Sequence, residues 1–260
     1  MSDIASPVVP AKSAPEERGE EPSLEYFRAW TYLFEAPSWL QDLLLCSVGI
    51  LVPIVGRMVV DGLLWERAGV ATGELNGPPS PFDFSHLNRY LMRGVWPFVV
   101  TTLLNIVIHA ISGAVVVSWL FGFRYYDFTW LTRFSESELM MLVWCVGTPL
   151  LLLLLLVIKL TVLLVMAMTF HSERTCSFAA MFDFGFVGAF FYRVWLEAFL
   201  VLAFAGFVAP AVMFAGTLCC IIGALPASIL VLGAMEFYTW RLYRLYLARG
   251  GKPIAIKLLP

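Results

Sequence analysis

The stretch PLLLLLLLVIKLTVLLVMAM, Pro149 to Met168, carries one charge in 20 residues. A helix of about 20 apolar residues is enough to cross the hydrocarbon core of a bilayer. A soluble fold would have to hide such a run completely. The rest of the chain lacks the polar residues for that, because 60% of its 260 residues are hydrophobic and only 14% are charged. The expected fold class is therefore an all-α integral membrane protein. Helices are expected rather than a membrane barrel, because the alternating apolar and polar pattern of barrel strands is absent.

Five candidate spans are expected, at 42–66, 95–121, 139–170, 194–214 and 217–240. The third is longer than a bilayer needs and should tilt or project. Pro53, Pro97, Pro149, Pro210 and Pro226 lie within or at the edges of these spans, so kinked helices are expected. Residues 1–23, rich in Pro, Ser, Ala and Glu, read as a disordered tail. Residues 24–247 read as the helical membrane domain, and 248–260 as a basic C-terminal tail. At the start of the domain, Leu24, Phe27, Trp30 and Phe34 form a helical apolar stripe beside Tyr26 and Tyr32. The segment is too short and too charged to span, so an interfacial helix is expected there. The first candidate span raises a separate question, since it carries Arg57 and Asp61. Five crossings would put the N-terminal tail outside, whereas a hairpin bent at Pro53 and Gly56 would keep it inside.

The chain also echoes itself. Phe82-Asp83-Phe84 recurs as Phe182-Asp183-Phe184, and Arg93 recurs as Arg193; Trp96 or Trp195 follows, and then a span. Asp83 and Asp183 suit the N-cap of an interfacial helix. The preceding Phe82 and Phe182 can then staple onto Leu87 and Val187. This reads either as a parallel repeat of span, interfacial helix and span, or as chance similarity between aromatic-rich membrane segments. Counting Lys and Arg near the span ends gives ten (Arg67, Arg89, Arg93, Arg174, Arg193, Arg241, Arg244, Arg249, Lys252, Lys257) against five (Lys12, Arg18, Arg28, Arg124, Arg133). The excess marks the cytoplasmic side and puts the C-terminus there. The closing RLYRLYLARGGKPIAIK, basic and aromatic, suits an anionic membrane surface.

These motifs, in order, resemble a prokaryotic multi-pass family catalogued only as domain of unknown function 4013. They are Ala36-Pro37-Ser38-Trp39, Pro53-Ile54-Val55-Gly56 with Gly62, Pro81-Phe82-Asp83, and Ala180-Met181-Phe182-Asp183-Phe184. The resemblance covers about residues 30–247. It implies a helical fold in the inner (cytoplasmic) membrane and no activity. Arg57 and Asp61 depart from the family's apolar first span.

Ionisable residues within spans point by default to function. Here they are Arg57, Asp61, His109, Lys159, Glu197 and Glu236. Lys159 is deepest, about 11 residues or roughly 16 Å from the helix exit near His171. A lone cation there costs about 2.5–3.5 kcal/mol, so it calls for a partner. One reading is a cytoplasm-facing polar cluster of Arg57, Asp61, Lys159, Glu197 and Glu236. The other is a set of separate pairs one turn apart, Arg57–Asp61 and Arg193–Glu197. In the second span, Thr101, Asn105 and His109 recur every fourth residue and Ser112 continues the face. Such a stripe either glues helices together or lines a hydrated path.

No metal site or cofactor is expected, since the five cysteines (Cys46, Cys145, Cys176, Cys219, Cys220) form no CxxC and HExxH, GxSxG, Walker and dinucleotide signatures are absent. The net charge of −2 gives no reason to expect nucleic acid. The expected function is a non-enzymatic structural or accessory subunit of a membrane complex. Its expected partners are membrane lipids and either other proteins or further copies of itself. The alternative is a transporter or lipid-handling protein that uses the charge cluster. The cluster reading predicts that Lys159→Met lowers accumulation in the membrane, measured by quantitative immunoblot. Unchanged accumulation and partner binding would leave only separate pairs.

Overall fold

The computed structural model describes residues 22–75, 77, 81–125, 135, 137, 141, 145, 148–219 and 221–257. Within the helices, the side chains at 105, 108–109, 111–125, 148, 150–159 and 221 fall outside that description. The described secondary structure is helical, as expected. It comprises α1 (Arg28–Thr31), α2 (Trp39–Ile50), α3 (Val55–Ala71), α4 (Leu87–Tyr125), α5 (Thr148–Thr175), α6 (Phe184–Cys219) and α7 (Ala224–Ala248), with short 3-10 turns between them. The chain forms two compact units. One comprises Met1–Val99 with Leu163–Pro260, and the other comprises Val100–Val162. The site described below belongs to the first unit.

The expected first span, 42–66, is not one helix. It is two, α2 and α3, joined by a turn at Leu51–Ile54 in which Ile54 takes a φ of +63°. Pro53 lacks the N–H that a continuing helix needs, and its ring pushes the preceding residue away from helical geometry. Beyond the turn the two arms close in backbone contact, because a Cβ on Gly56 would overlap the carbonyl of Gly49. Cys46 on α2 packs with Val59, Val60 and Leu63 on α3. The arms are 12 and 17 residues long, each short of the roughly 20 a crossing needs. The segment is therefore a helical hairpin, bent at Pro53. Its tip is apolar and exposed at Val48, Leu51, Val52, Ile54 and Val55.

Beyond the hairpin, α3 packs against α4 and α7. Gly62 meets the backbone of Tyr90, and Gly94 meets the backbone of Met58, so α3 and α4 touch at two glycines. Small residues permit this closeness, which strengthens dispersion contact between membrane helices. On the other side the rings of Trp65 and Trp240 lie 4.8 Å apart, and Trp240 Nε1 donates to the Trp65 carbonyl at 3.1 Å. Phe170 of α5 meets the Trp240 ring edge to face at 5.2 Å.

The interfacial segment before α2 is shorter than its stripe implies. It is one helical turn, α1, followed by the 3-10 turn Tyr32–Glu35. Phe27 of the stripe is exposed, while Ala29 and Tyr32 turn inward. Tyr238 on α7 organises the region, since Trp30 donates to its hydroxyl at 2.8 Å and the hydroxyl donates to Tyr26 O at 2.7 Å.

One helix among the described residues, Phe184–Cys219, has the length and apolar composition to cross a membrane. Only 22% of its most apolar window is buried, whereas a soluble core helix would be mostly buried. A break at Val194 (φ −130°, ψ 16°) separates its first turns from the remainder.

The described part of the basic C-terminal tail, up to Lys257, folds onto the bundle as a strap. Lys257 N donates to Arg174 O at 2.9 Å, and Ile254 N donates to the Tyr243 hydroxyl at 2.8 Å.

The glycine contacts predict that Gly62→Ala and Gly94→Ala each destabilise by about 1–3 kcal/mol through forced separation of α3 and α4. Gly188→Ala, which meets no neighbour within 4 Å, should be neutral or slightly stabilising. Fluorescence-detected thermal unfolding in mild detergent measures all three.

Candidate functional site

Charge gathers where α3, α5 and α7 end and α4 begins. Asp42 and Arg67, each 5% exposed, pair at 2.6 Å between the two arms of the hairpin. The Asp42 carboxylate also accepts from Ser38 Oγ at 2.6 Å and from Phe82 N at 2.8 Å, so hairpin and loop share one anchor. Glu66 accepts from Arg89 at 3.0 Å and from Arg93 at 3.2 Å, tying α3 to α4. Arg93 also lies over the Trp65 ring at 4.1 Å. Arg241 pairs with Glu25, which brings the chain entry to the end of α7.

Arg174 is handled differently. It is 1% exposed, and among the described residues no carboxylate pairs with it. Its guanidinium lies 4.1 Å from the Tyr243 ring centre and 4.9 Å from that of Trp240, and it donates to Ile254 O at 3.2 Å. Aromatic faces attract a desolvated guanidinium. Burial nevertheless pulls its pKa below the ordinary arginine value.

The expected sites are placed as follows. Arg57 and Asp61 pair at 2.8 Å across one turn, as expected. Glu236 on α7 lies within electrostatic range of both. Glu197 does not pair with Arg193. It accepts instead from Arg249, whose guanidinium also donates to Arg193 O. The reason is the break at Val194, between the two positions, which ends the regular one-turn spacing an Arg193–Glu197 pair needs. The five-residue cluster is therefore divided: Arg57, Asp61 and Glu236 lie together, and Glu197 belongs to the end of α7. The side chain of Lys159 lies outside the described residues, as do those of Asn105, His109 and Ser112; Thr101 is exposed on α4. Residues 1–21, Arg124 and Arg133 carry expectations that also lie outside the description.

Both expected caps form. Asp83 accepts from Ser85 N at 2.8 Å, and Asp183 from Phe186 N at 3.1 Å. Hydrogen bonds from the Ser85 side chain and backbone hold the Asp83 carboxyl below its ordinary pKa. The ring of Phe82 meets Phe84 at 4.9 Å and stacks on Tyr90 at 5.7 Å. The echo is not carried into the arginines. Arg93 is buried against Glu66, whereas Arg193 is half-exposed and bonds to the Arg249 carbonyl at 3.2 Å.

Asp42, Glu66, Glu173 and the aromatic seat of Arg174 were not legible as sites. Arg67 was visible only as a topological charge. Its partner lies 25 residues away across a turn, and no local spacing signals that.

Between the end of α5, the start of α6 and the strap lies a cleft of about 710 Å³. His171, Asp183, Arg193, Tyr246, Lys252 and Ile254 line it. His171 is 8% exposed, its ring packs on Phe186 at 4.6 Å, and its Nδ1 is buried with no hydrogen-bond partner among the described residues. Burial pushes the His171 pKa down, which favours the neutral ring at pH 7. Among the described residues no group of three or more His, Cys, Asp or Glu could hold a metal ion. Compared with family models, curated proteins and solved structures, the chain matches none.

Glu173, 4% exposed, generates a pH prediction. Burial, and then Glu236 and Asp61, hold its carboxyl well above the ordinary value of 4.5, against opposing pull from Arg93. A carboxyl raised in the fold stabilises below that ordinary value, and the contribution is lost as pH rises through the folded-state pKa. The melting temperature of the native protein should therefore fall from pH 5 towards pH 8 relative to that of Glu173→Gln. Parallel melting curves across that range check it.

Proposed function

We propose that the chain is a non-enzymatic integral membrane protein. It serves as a structural or accessory subunit of a complex in the prokaryotic cytoplasmic membrane, built on the plan of the family it resembles. One observation carries this reading: the charges of the described bundle, buried or half-buried, act as ties between elements. Asp42–Arg67 joins the hairpin arms, Glu66 joins α3 to α4, and Glu197–Arg249 joins α6 to the end of α7. Such ties fix one element against the next, as a structural subunit requires.

In this reading α4, α5, α6 and α7 cross, and α2–α3 enters and returns with its apolar tip in the hydrocarbon. The low burial of α6 and the exposure of Val52 and Ile54 support it. The Glu25–Arg241 pair supports placing both ends of the chain on the cytoplasmic side. The alternative, a transporter or lipid-handling protein, draws support from the cleft beside His171.

Two experiments test the proposal. In a cysteine-free background, Val52→Cys should resist a membrane-impermeant maleimide from both sides, while tags at both termini are reached only from the cytoplasm. Labelling of Val52→Cys from outside would mean a full crossing. Purification in mild detergent with mass spectrometry should then recover a stoichiometric protein partner. A lone oligomer that retains lipid would favour the alternative.

A further inference from the structure

We infer that the cleft between the end of α5, the start of α6 and the C-terminal strap binds a phosphate-bearing anion, gripped by Arg193 and Lys252 with His171 at its wall. The volume of about 710 Å³ falls within the range of small-molecule sites, and exceeds what a bare phosphate would fill.

The charge balance favours an anion. Arg193 and Lys252 face one acid, Asp183, and that carboxylate is already engaged as the cap of α6 through Phe186 N. Lys252 is exposed, and no carboxylate pairs with it among the described residues. Arg193 donates through Nε to Arg249 O at 3.2 Å and through Nη1 to Ala189 O at 3.4 Å. These bonds fix the guanidinium plane and leave Nη2 as the donor to offer. A held guanidinium with an ammonium nearby is the usual means of recognising phosphate oxygens. His171 adds a buried, neutral ring to the wall, packed on Phe186 at 4.6 Å.

The site is also built in advance. Gly250, at φ +78°, turns the chain out of α7. Gly251 N donates to Tyr246 O at 2.9 Å, and Lys252 N donates to the Tyr246 hydroxyl at 3.1 Å. The same strap is held further on by the Tyr243 hydroxyl and by Arg174. Lys252 therefore sits on a fastened rim rather than on a loose tail, which lowers the entropy lost on binding.

A phosphate group of this kind could belong to a lipid headgroup or to a soluble phosphate ester. Phe184 and Tyr192, 69% and 84% exposed on the adjoining turns of α6, offer apolar surface beside the cleft that would suit acyl chains. The lipid source rests on the membrane reading above; the phosphate chemistry does not.

The test uses the full-length protein in nonionic detergent. Phosphatidylglycerol, phosphatidylcholine and glycerol 3-phosphate are each titrated and followed by native mass spectrometry and thermal shift. Either phosphatidylglycerol or glycerol 3-phosphate should bind, and Lys252→Gln should weaken that binding about tenfold, the order expected of one lost charge-assisted contact. Lys252→Gln should keep the native melting temperature without ligand, because its backbone ties are unchanged. Lys252→Glu, with the charge reversed, should bind more weakly still. Binding of phosphatidylglycerol assigns the lipid source, and binding of glycerol 3-phosphate alone assigns the soluble one. Failure of both to bind, equal retention of phosphatidylcholine and phosphatidylglycerol, or unchanged binding by Lys252→Gln overturns the inference. Alkaline carbonate extraction of membranes tests the membrane reading independently, so its failure would leave the soluble arm informative.

Discussion

A guanidinium cannot be buried without compensation, and among the described residues four are buried at one end of the bundle. Arg67, Arg93, Arg174 and Arg241 are each no more than 6% exposed. A desolvated charge costs several kcal/mol unless it is paired or otherwise compensated. Each arginine therefore dictates what stands beside it. Arg67 requires Asp42, and so brings the arms of the hairpin together at their open end. Arg93 requires Glu66 and lies on Trp65. Arg174 requires the rings of α7 and the Ile254 carbonyl, and so draws the strap inward. Arg241 requires Glu25, which brings the chain entry to the same place.

The opposite requirement operates away from that layer. There, beside the Arg57–Asp61 pair, close approach of backbones at glycines decides the packing. Gly49 with Gly56, Gly62 with Tyr90 and Gly94 with Met58 let backbones meet where any larger side chain would hold them apart. The hairpin combines both devices. It is pinned by a charge pair at its base, closed by glycines near its tip, and left apolar where it turns.

Some features of this arrangement were readable from short stretches. The caps at Asp83 and Asp183 follow from local hydrogen-bonding geometry, so position alone reveals them. The Arg57–Asp61 pair follows from one-turn spacing on a single helix. Other features were hidden. Arg193–Glu197 satisfies the same spacing as Arg57–Asp61 yet does not form, because the break at Val194 intervenes. Asp42 and Arg67 look unrelated until a turn folds one onto the other. The aromatic seat of Arg174 assembles rings from α5 and α7 that no local pattern links.

The amino-acid sequence by itself determined the helical class, the apolar character of the segments, the helix-start signals and the Arg57–Asp61 pair. All of these depend on composition or on contacts within a few residues. Tertiary structure alone decided that residues 42–66 fold back as a hairpin, that the basic C-terminus is a strap, and that His171, Arg193 and Lys252 share a cleft. These depend on which buried charge finds which partner across tens of residues. Desolvation makes that choice strict, but only after the helices have been brought together.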